Sequence, residues 1–401
     1  MSLPILDSVA AKLDSLQSQL RPVGTESVSL MESIGRVLAQ DVLAFRDSPP
    51  LDVSAMDGYA IRLEDLQPAC ELPVMGIASA GASPLHCTSG QAIKIFTGAA
   101  VPAGADSVVP REQCQETAGR MQVTVPKERL RLGQNVRRRG ENASRGAKVL
   151  VAGVKIDGPI ASTLASFLEE DRVMVHQRVR VAILNTGDEI REVGQPLKDW
   201  QIRDSNGPLL QAMLAEQPWI ACHRIQVADD MTRLRLQLEE AFRTCDAVLL
   251  TGGVSMGDTD HVPGAIQATG GTIHFHRIPI RPGKPLLGGI GPSGQLIMGL
   301  PGNPVSVAVT FRRFALPLLR HLAGFADPRD RQVRVPVQCQ DGKTLDLIWY
   351  RLVTIDPAGN AKVLANQGSG DVAALGQSHG FVEIPPGCVS DGPFPYYDWK
   401  G

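Results

Sequence analysis

Aromatic side chains are scarce in this chain: Phe, Trp and Tyr together make up 4% of its 401 residues. Its cores must therefore be built from Val, Leu, Ile and Ala. The seven cysteines, Cys70, Cys87, Cys114, Cys222, Cys245, Cys339 and Cys388, include no C-x-x-C pair. An odd, scattered set argues against a disulfide framework or a structural zinc site and suits a reduced, cytoplasmic protein. Cys245 reads as a small buried hydrophobe. His223, His274 and His276 read as packing or surface residues, since no cysteine joins them at metal-ligand spacing. No long run of one charge occurs, and the formal net charge is -2. That argues against generic nucleic-acid binding while leaving room for a local anion site. No stretch of about 20 apolar residues and no charged-then-apolar N-terminus is present, so neither a membrane span nor a secretory leader is expected.

Glycine (40) and proline (29) are plentiful, which predicts many turns. A chain of this length exceeds one simple core, and two to four domains are expected. Helical spacing of apolar residues predicts a helix from Ile5 to Leu20, stopped by Pro22, and a second from Leu30 to Ala39. Whether these helices serve the chain's own core or a contact between domains or subunits is open. Residues 49–62 read as a turn-rich surface loop with Asp52, Ser54, Asp57 and Tyr59 on it. Residues 70–145 read as a β-rich module. Within it the run Arg137-Arg138-Arg139 suits a solvated face or, beside Gly140, a phosphate grip equally well. A helix from Pro159 to Leu168 returns to the first region, so the module is read as an insertion.

From Arg178 strands and helices alternate, predicting a three-layer α/β domain. Three of its strands end in glycine-rich turns: NTGDEI after residue 184, TGGVSMGDTD after residue 250, and LPGNP after residue 299. Ligands of open α/β sheets bind where strands end in this way. Glycine lets backbone N–H groups approach a phosphate or a ring. Asp188, Glu189, Asp258 and Asp260 add hard oxygen donors suited to Mg2+. Pro304 opens a helix running to Leu322 that Pro317 should kink or divide. Residues 333–338, 345–355, 361–365 and 381–384 predict a small antiparallel barrel or sandwich.

Eight segments, LDVSAMDGYAIR, IKIFTGAAVP, NVRRRGEN, NTGDEI, DSNGPLL, LLTGGVSMGDTD, IPIRPGKP and LPGNPVSVAVTF, together resemble the molybdopterin molybdenumtransferases, which share homology with the catalytic domain of gephyrin. The resemblance spans essentially the whole chain in order. It implies a multidomain α/β and β fold: a segmented N-terminal helical domain (1–48 and 147–177), an inserted β-rich domain (49–146), a central three-layer α/β pterin-binding domain (178–326) and a C-terminal β-barrel (327–401). It further implies a homodimer whose cleft lies between subunits. The substrates are adenylylated molybdopterin and molybdate, Mg2+ is the cofactor, and AMP is released as molybdenum is left on the dithiolene sulfurs. Contact with the molybdopterin adenylyltransferase or with recipient molybdoenzymes follows from the same resemblance, with no nucleic acid and no membrane.

Carried over by matching segments, Asp57, Glu189, Asp260 and Lys284 are expected to be catalytic. Thr97, Arg138, Gly187, Asp188, Asp229, Gly252, Gly253, Ser255, Arg281, Pro301, Asn303 and Ser369 are expected to bind the ligand, and Asp188, Glu189 and Asp260 the metal. As bland alternatives, Lys284 is a solvated turn lysine and Asp57 a turn cap. Three positions depart from the usual segments: Asn142 stands where aspartate is usual, Arg281 where lysine is, and Gly207 where arginine or another larger residue is common. The last predicts a missing ligand-side contact. The competing readings are the single-domain adenylyltransferase, a non-catalytic scaffold, and a tungsten-handling relative.

Overall fold

A computed structural model describes residues 3–67, 69–253, 260–329, 332–338 and 341–400, with side chains from residue 8 onward. The chain divides into two compact units, one of residues 1–40, 152–159 and 172–401, the other of 41–151 and 160–171.

The larger unit is organised by a six-stranded sheet. Its order is Ile220–Val227, Val179–Thr186, Ala247–Thr251, Leu296–Leu300, Leu287–Ile290, Thr272–His276. The first four strands run parallel and the last two are added antiparallel. Parallel strands are buried on both faces, and alternate residues serve opposite cores. Val181, Ile183 and Leu249 join one cluster, which also takes Leu210 of helix Asn206–Ala215 and Val305 of helix Pro304–Thr310. Ala182, Leu184 and Leu250 join the other, under helices Met231–Thr244 and Val262–Ala268. The result is the expected three-layer arrangement.

The N-terminal helix, Leu3–Gln17, buries Val9 and Leu16 in the first of these clusters, so it packs within its own chain. Strand Leu287–Ile290 has no apolar alternation that would announce it, because Gly288 must pass beneath the Phe275 ring: a Cβ there would lie 2.4 Å from that ring. The helix predicted over residues 30–39 is corrected to a single turn, Leu30–Ser33. Its start has a reciprocal Ser29–Glu32 capping box. The chain then turns at Gly35, and Val37 and Leu38 form β-bridges instead. Pairing and burial of those two residues outweigh their helical spacing.

The helix from Pro304 is divided as expected. Seven α-helical residues are followed by a π-helical stretch, Phe311–Ala315, and by helix Leu316–Leu322. The wider turns precede Pro317, which has no N–H for the ladder. Beyond it, strands Ile348–Ile355, Ala361–Val363, Val333–Gln338, Gly392–Asp398 and Gly380–Ile384 pair in that order, and the last pairs back to the first. This is the closed C-terminal barrel. Val382 and Ile384 join Val335, Val337, Val353 and Phe394 in the barrel's own core, whereas Phe381, on the opposite face of that strand, joins the cluster of the large sheet, stacked on Tyr397 at 5.2 Å between ring centroids and edge-on to Tyr350 at 5.5 Å. The strand Gly392–Asp398, broken in sequence by two prolines, was not legible from propensity.

The smaller unit carries a six-stranded sheet in the order Ser107–Pro110, Gly58–Ile61, Ala92–Ile95, Glu71–Ala78, Arg120–Val123, Cys114–Thr117. The stretch 49–62, read as a surface loop, is corrected at its end: Gly58–Ile61 is a fully buried strand paired on both sides. Tyr59 and Ile61 lie in one core and Ala60 in the other.

Candidate active site

At the C-terminal edge of the large sheet, the strand ends are locked to each other. Asn185 Nδ2 donates to Thr251 Oγ1 at 2.9 Å and Thr186 Oγ1 to the Thr251 carbonyl at 3.2 Å. Gly252 follows with φ +83°, and a Cβ on it would lie 2.6 Å from the Thr186 carbonyl oxygen, so only glycine allows the two turns to touch. Gly253 also has positive φ.

A cavity of about 430 Å3 opens here, lined by Thr186, Glu189, Ile190, Ile202, Asp204, Asn206, Gly252 and Asn303 among others. A second, of about 610 Å3, shares Gly302 and Asn303 with it and is lined by Arg281, Lys284, Pro301, Trp349 and Ser369. Both fall in the size range of small-molecule sites. The two adjoining spaces bring together most of the residues named from sequence in this unit. Asn303 and Ser369 touch directly: Asn303 Nδ2 donates to Ser369 Oγ at 2.9 Å, and the Ser369 carbonyl accepts from Val305 N–H at 3.0 Å. The loop after the barrel strand Ala361–Val363 is thereby docked on the Pro-Gly-Asn-Pro turn. Lys284 is exposed on the stiff Pro282–Pro285 loop, and Arg281 is exposed at the end of the strand that precedes it.

Glu189 lies folded back over Gly187, whose φ is +141° and whose added Cβ would meet that carboxylate at 2.7 Å. Asp188 is exposed and accepts from the Asp229 N–H at 3.2 Å, so these two are neighbours outside the cavity lining. Asp230 rather than Asp229 caps the following helix, accepting from Arg233 N–H at 2.8 Å. Asp260 is half-buried just before helix Val262–Ala268. Ser255 and Asp258 lie outside the described residues. Among the described residues, no three of His, Cys, Asp and Glu converge to hold a metal ion, the set Asp188, Glu189 and Asp260 included.

The remaining named residues belong to the smaller unit. Asp57 is exposed and accepts from both the N–H and the hydroxyl of Thr97, each at 2.7 Å. Those bonds hold its carboxyl below the usual carboxylate range. Arg138 is a separate feature: its guanidinium pairs with Asp52 at 2.6 Å and its N–H donates to Glu141. Arg139 pairs with Asp47, and Arg137 donates to Asn142 at 2.5 Å. The arginine run is thus tied to Asp47 and Asp52 of a segment distant in sequence and to Glu141 of its own loop, and Asn142 is one of its anchors.

Sequence reasoning passed over Asn206. It is 6% exposed, its amide donates to the Gly302 carbonyl at 2.7 Å, and its Oδ1 has no partner among the described residues. A buried acceptor without a protein donor at a cavity wall is open to a donor from an ordered water or a ligand. Its signal was the Asp-Ser-Asn start of a helix in the segment DSNGPLL. Ser205, just before this helix, makes no side-chain cap bond; Asp204 Oδ1 accepts from Gly207 N–H at 2.9 Å. At Gly207 the Arg224 side chain occupies the space where a Cβ would stand.

Residues 7–167 match the MoeA N-terminal region (domain I and II), and residues 182–321 match the probable molybdopterin binding domain. The chain is 35% identical to a molybdopterin molybdenumtransferase from Nostoc sp. over 398 residues, 96% of this chain and 88% of the relative. The chain belongs to the molybdopterin molybdenumtransferase family. The family relative from Haemophilus influenzae is 35% identical over 80% of this chain and 78% of its own. A crystal structure of the molybdopterin biosynthesis MoeA protein from Pyrococcus horikoshii superposes with a TM-score of 0.81 at 29% identity, covering 97% of this chain and 98% of that one. Family membership makes this a molybdopterin-directed transferase of cofactor biosynthesis with the family's multidomain fold.

Proposed function

We propose that this protein transfers molybdenum from molybdate to adenylylated molybdopterin and releases AMP. The observation that carries this reading is the polarity of the two adjoining cavities. Asn206 presents a buried acceptor in one, Arg281 and Lys284 present cations in the other, and Asn303 stands between them. A ligand with ring N–H donors and a pyrophosphate suits that order, and molybdate is a second anion for the cationic end. Lys284 acts as a mobile point charge and Arg281 as a planar fork for oxyanions. N–H groups at Gly252–Gly253 and Gly302 approach phosphate oxygens because no side chain stands in the way. An oxygen of molybdate or water attacks the adenylyl phosphorus as its bond to the bridging oxygen breaks; the bridging oxygen stays on the molybdopterin phosphate, and AMP leaves carrying the attacking oxygen.

Glu189 and Asp188 would repel these anions unless a cation stands between. Both are exposed and have no ion-pair partner among the described residues. Such carboxylates fit Mg2+, which is usually held by one or two of them plus substrate phosphates and waters. Asp260 is the further oxygen donor proposed for it. When bound, the ion neutralises phosphate charge and polarises the bond that is cleaved. Asp57, its carboxylate fixed by Thr97, is proposed to orient the attacking group in the cleft of a partner subunit within a homodimer. The scattered cysteines support a reducing, cytoplasmic setting. The adenylyltransferase that supplies the substrate and the recipient molybdoenzymes are the proposed partners.

The deciding assay supplies purified protein with adenylylated molybdopterin, molybdate and Mg2+, omitting each in turn. AMP release that needs all three is expected. Tight pterin binding without AMP release would replace this reading with a scaffold.

A further inference from the structure

We propose that Arg224 is a positioning residue that clamps the acidic segment 187–204 to the sheet, in space left open by Gly207. Its kinetic consequence rests on the functional reading above. The segment carries Asp188 and Glu189 and supplies Ile190, Ile202 and Asp204 to the cavity wall. It doubles back on itself: Ile190–Arg191 pairs with Ile202–Arg203, Ile202 N–H donates to the Glu189 carbonyl at 2.9 Å, and Asp204 N–H to the Arg191 carbonyl at 2.9 Å. These bonds are internal to the segment. Its side-chain anchors to the sheet come from strand Ile220–Val227. There Arg224 donates through Nη1 to Asp204 and through Nη2 to Glu192, and Gln226 Nε2 donates to the Ile190 carbonyl at 3.1 Å. One guanidinium therefore holds both limbs of the fold-back.

The Asp204 side chain is only 2% exposed, and its other oxygen accepts from Gly207 N–H at 2.9 Å. A carboxylate so buried needs a paired cation. Gly207 decides where that cation comes from. A Cβ built there would lie 2.5 Å from Arg224 Nη1 and 2.5 Å from Asp204 Oδ2. The helix start is kept bare, and the guanidinium reaches across from the neighbouring strand. Without the clamp, Asp204 is a buried unpaired charge and the segment opens. Substrate must then close it, and apparent affinity falls by the fraction of molecules that are closed, while turnover at saturation is kept.

The test measures amide exchange and kinetics on the full chain. Arg224→Leu is expected to speed exchange over residues 188–203 by about tenfold or more, while strand Ala247–Thr251 keeps its protection. KM for adenylylated molybdopterin is expected to rise about tenfold with kcat little changed. Gly207→Arg alone collides with the clamp and is expected to show the same KM rise. The double replacement of Gly207→Arg with Arg224→Leu brings a guanidinium to Asp204 from the helix side and is expected to restore protection and KM. Exchange needs no substrate, so the two readings fail separately. Wild-type protein that releases no AMP overturns the function, whereas unchanged exchange in Arg224→Leu overturns the clamp. A lower kcat at unchanged KM, or a double variant no better than either single one, also overturns it. If Arg224→Leu does not fold, Arg224→Lys replaces it. A point charge cannot span both acids, so smaller shifts in the same direction are expected, and wild-type values would refute the clamp.

Discussion

Asp57 shows how a single exposed carboxylate is fixed in place. The Thr97 N–H and hydroxyl both point at one of its oxygens, which fixes the side chain and favours the charged form. Thr97→Val removes the hydroxyl bond and keeps the N–H bond. The Asp57 carboxyl should then titrate at higher pH than in the parent, read by NMR of the carboxyl carbon. An unmoved titration would show that the hydroxyl is not holding the carboxylate.

On the scale of elements, two parts differ in what holds them. The arginine loop is held by charge. Asp47 accepts from Arg145 N–H and pairs with Arg139, and Asp52 accepts from Arg139 N–H and pairs with Arg138; these bonds depress both carboxyls. A carboxyl depressed in the folded state stabilises fully above its unfolded pKa, and that contribution disappears as pH falls through the folded value. Lowering pH through and below the ordinary carboxylate range should therefore lower the amide protection of residues 135–146 relative to the intrinsic exchange rate at each pH. The sheet strand Ala92–Ile95 should keep its protection until lower pH, and simultaneous loss of both would contradict this account. The barrel is held by packing. Phe381 is fully buried against Tyr350, Tyr397 and Trp399 in the cluster that the barrel strands share with the large sheet, so Phe381→Ala should cost about 3–5 kcal/mol, measured as a shift in the denaturant midpoint of the larger unit's fluorescence transition. A cost well below that range would mean that the cluster collapses around the cavity.

For the whole molecule, the proposed shared cleft makes a distinctive prediction. Asp57→Asn and Asp260→Asn proteins should each be inactive, and mixed dimers of the two should regain AMP release, because one of their two clefts then has both wild-type residues. Absence of recovery in verified mixed dimers would put the working residues of each site in one chain. No helix among the described residues is long and apolar enough to cross a membrane.

Much of this was legible in the chain itself. The strands ending in Thr186-Gly187, Thr251-Gly252 and Leu300-Pro301 are apolar runs followed by glycine or proline, which are disfavoured inside a central strand, so their ends, and the ligand edge they form, were marked locally. The division of the last helix was equally local, since Pro317 lacks the donor that an α-turn needs. The short turn at Leu30–Ser33, the glycine strand Leu287–Ile290 and the proline-bearing strand Gly392–Asp398 were decided otherwise. There, partners distant in sequence supply bonds and burial that outweigh propensity. The same holds at the site. Glycine turns and carboxylates announce themselves by type and position, but the orphaned acceptor of Asn206 and the reach of Arg224 into the space beside Gly207 do not. Burial, pairing and free volume are properties of neighbours in space, and only the folded chain chooses those neighbours.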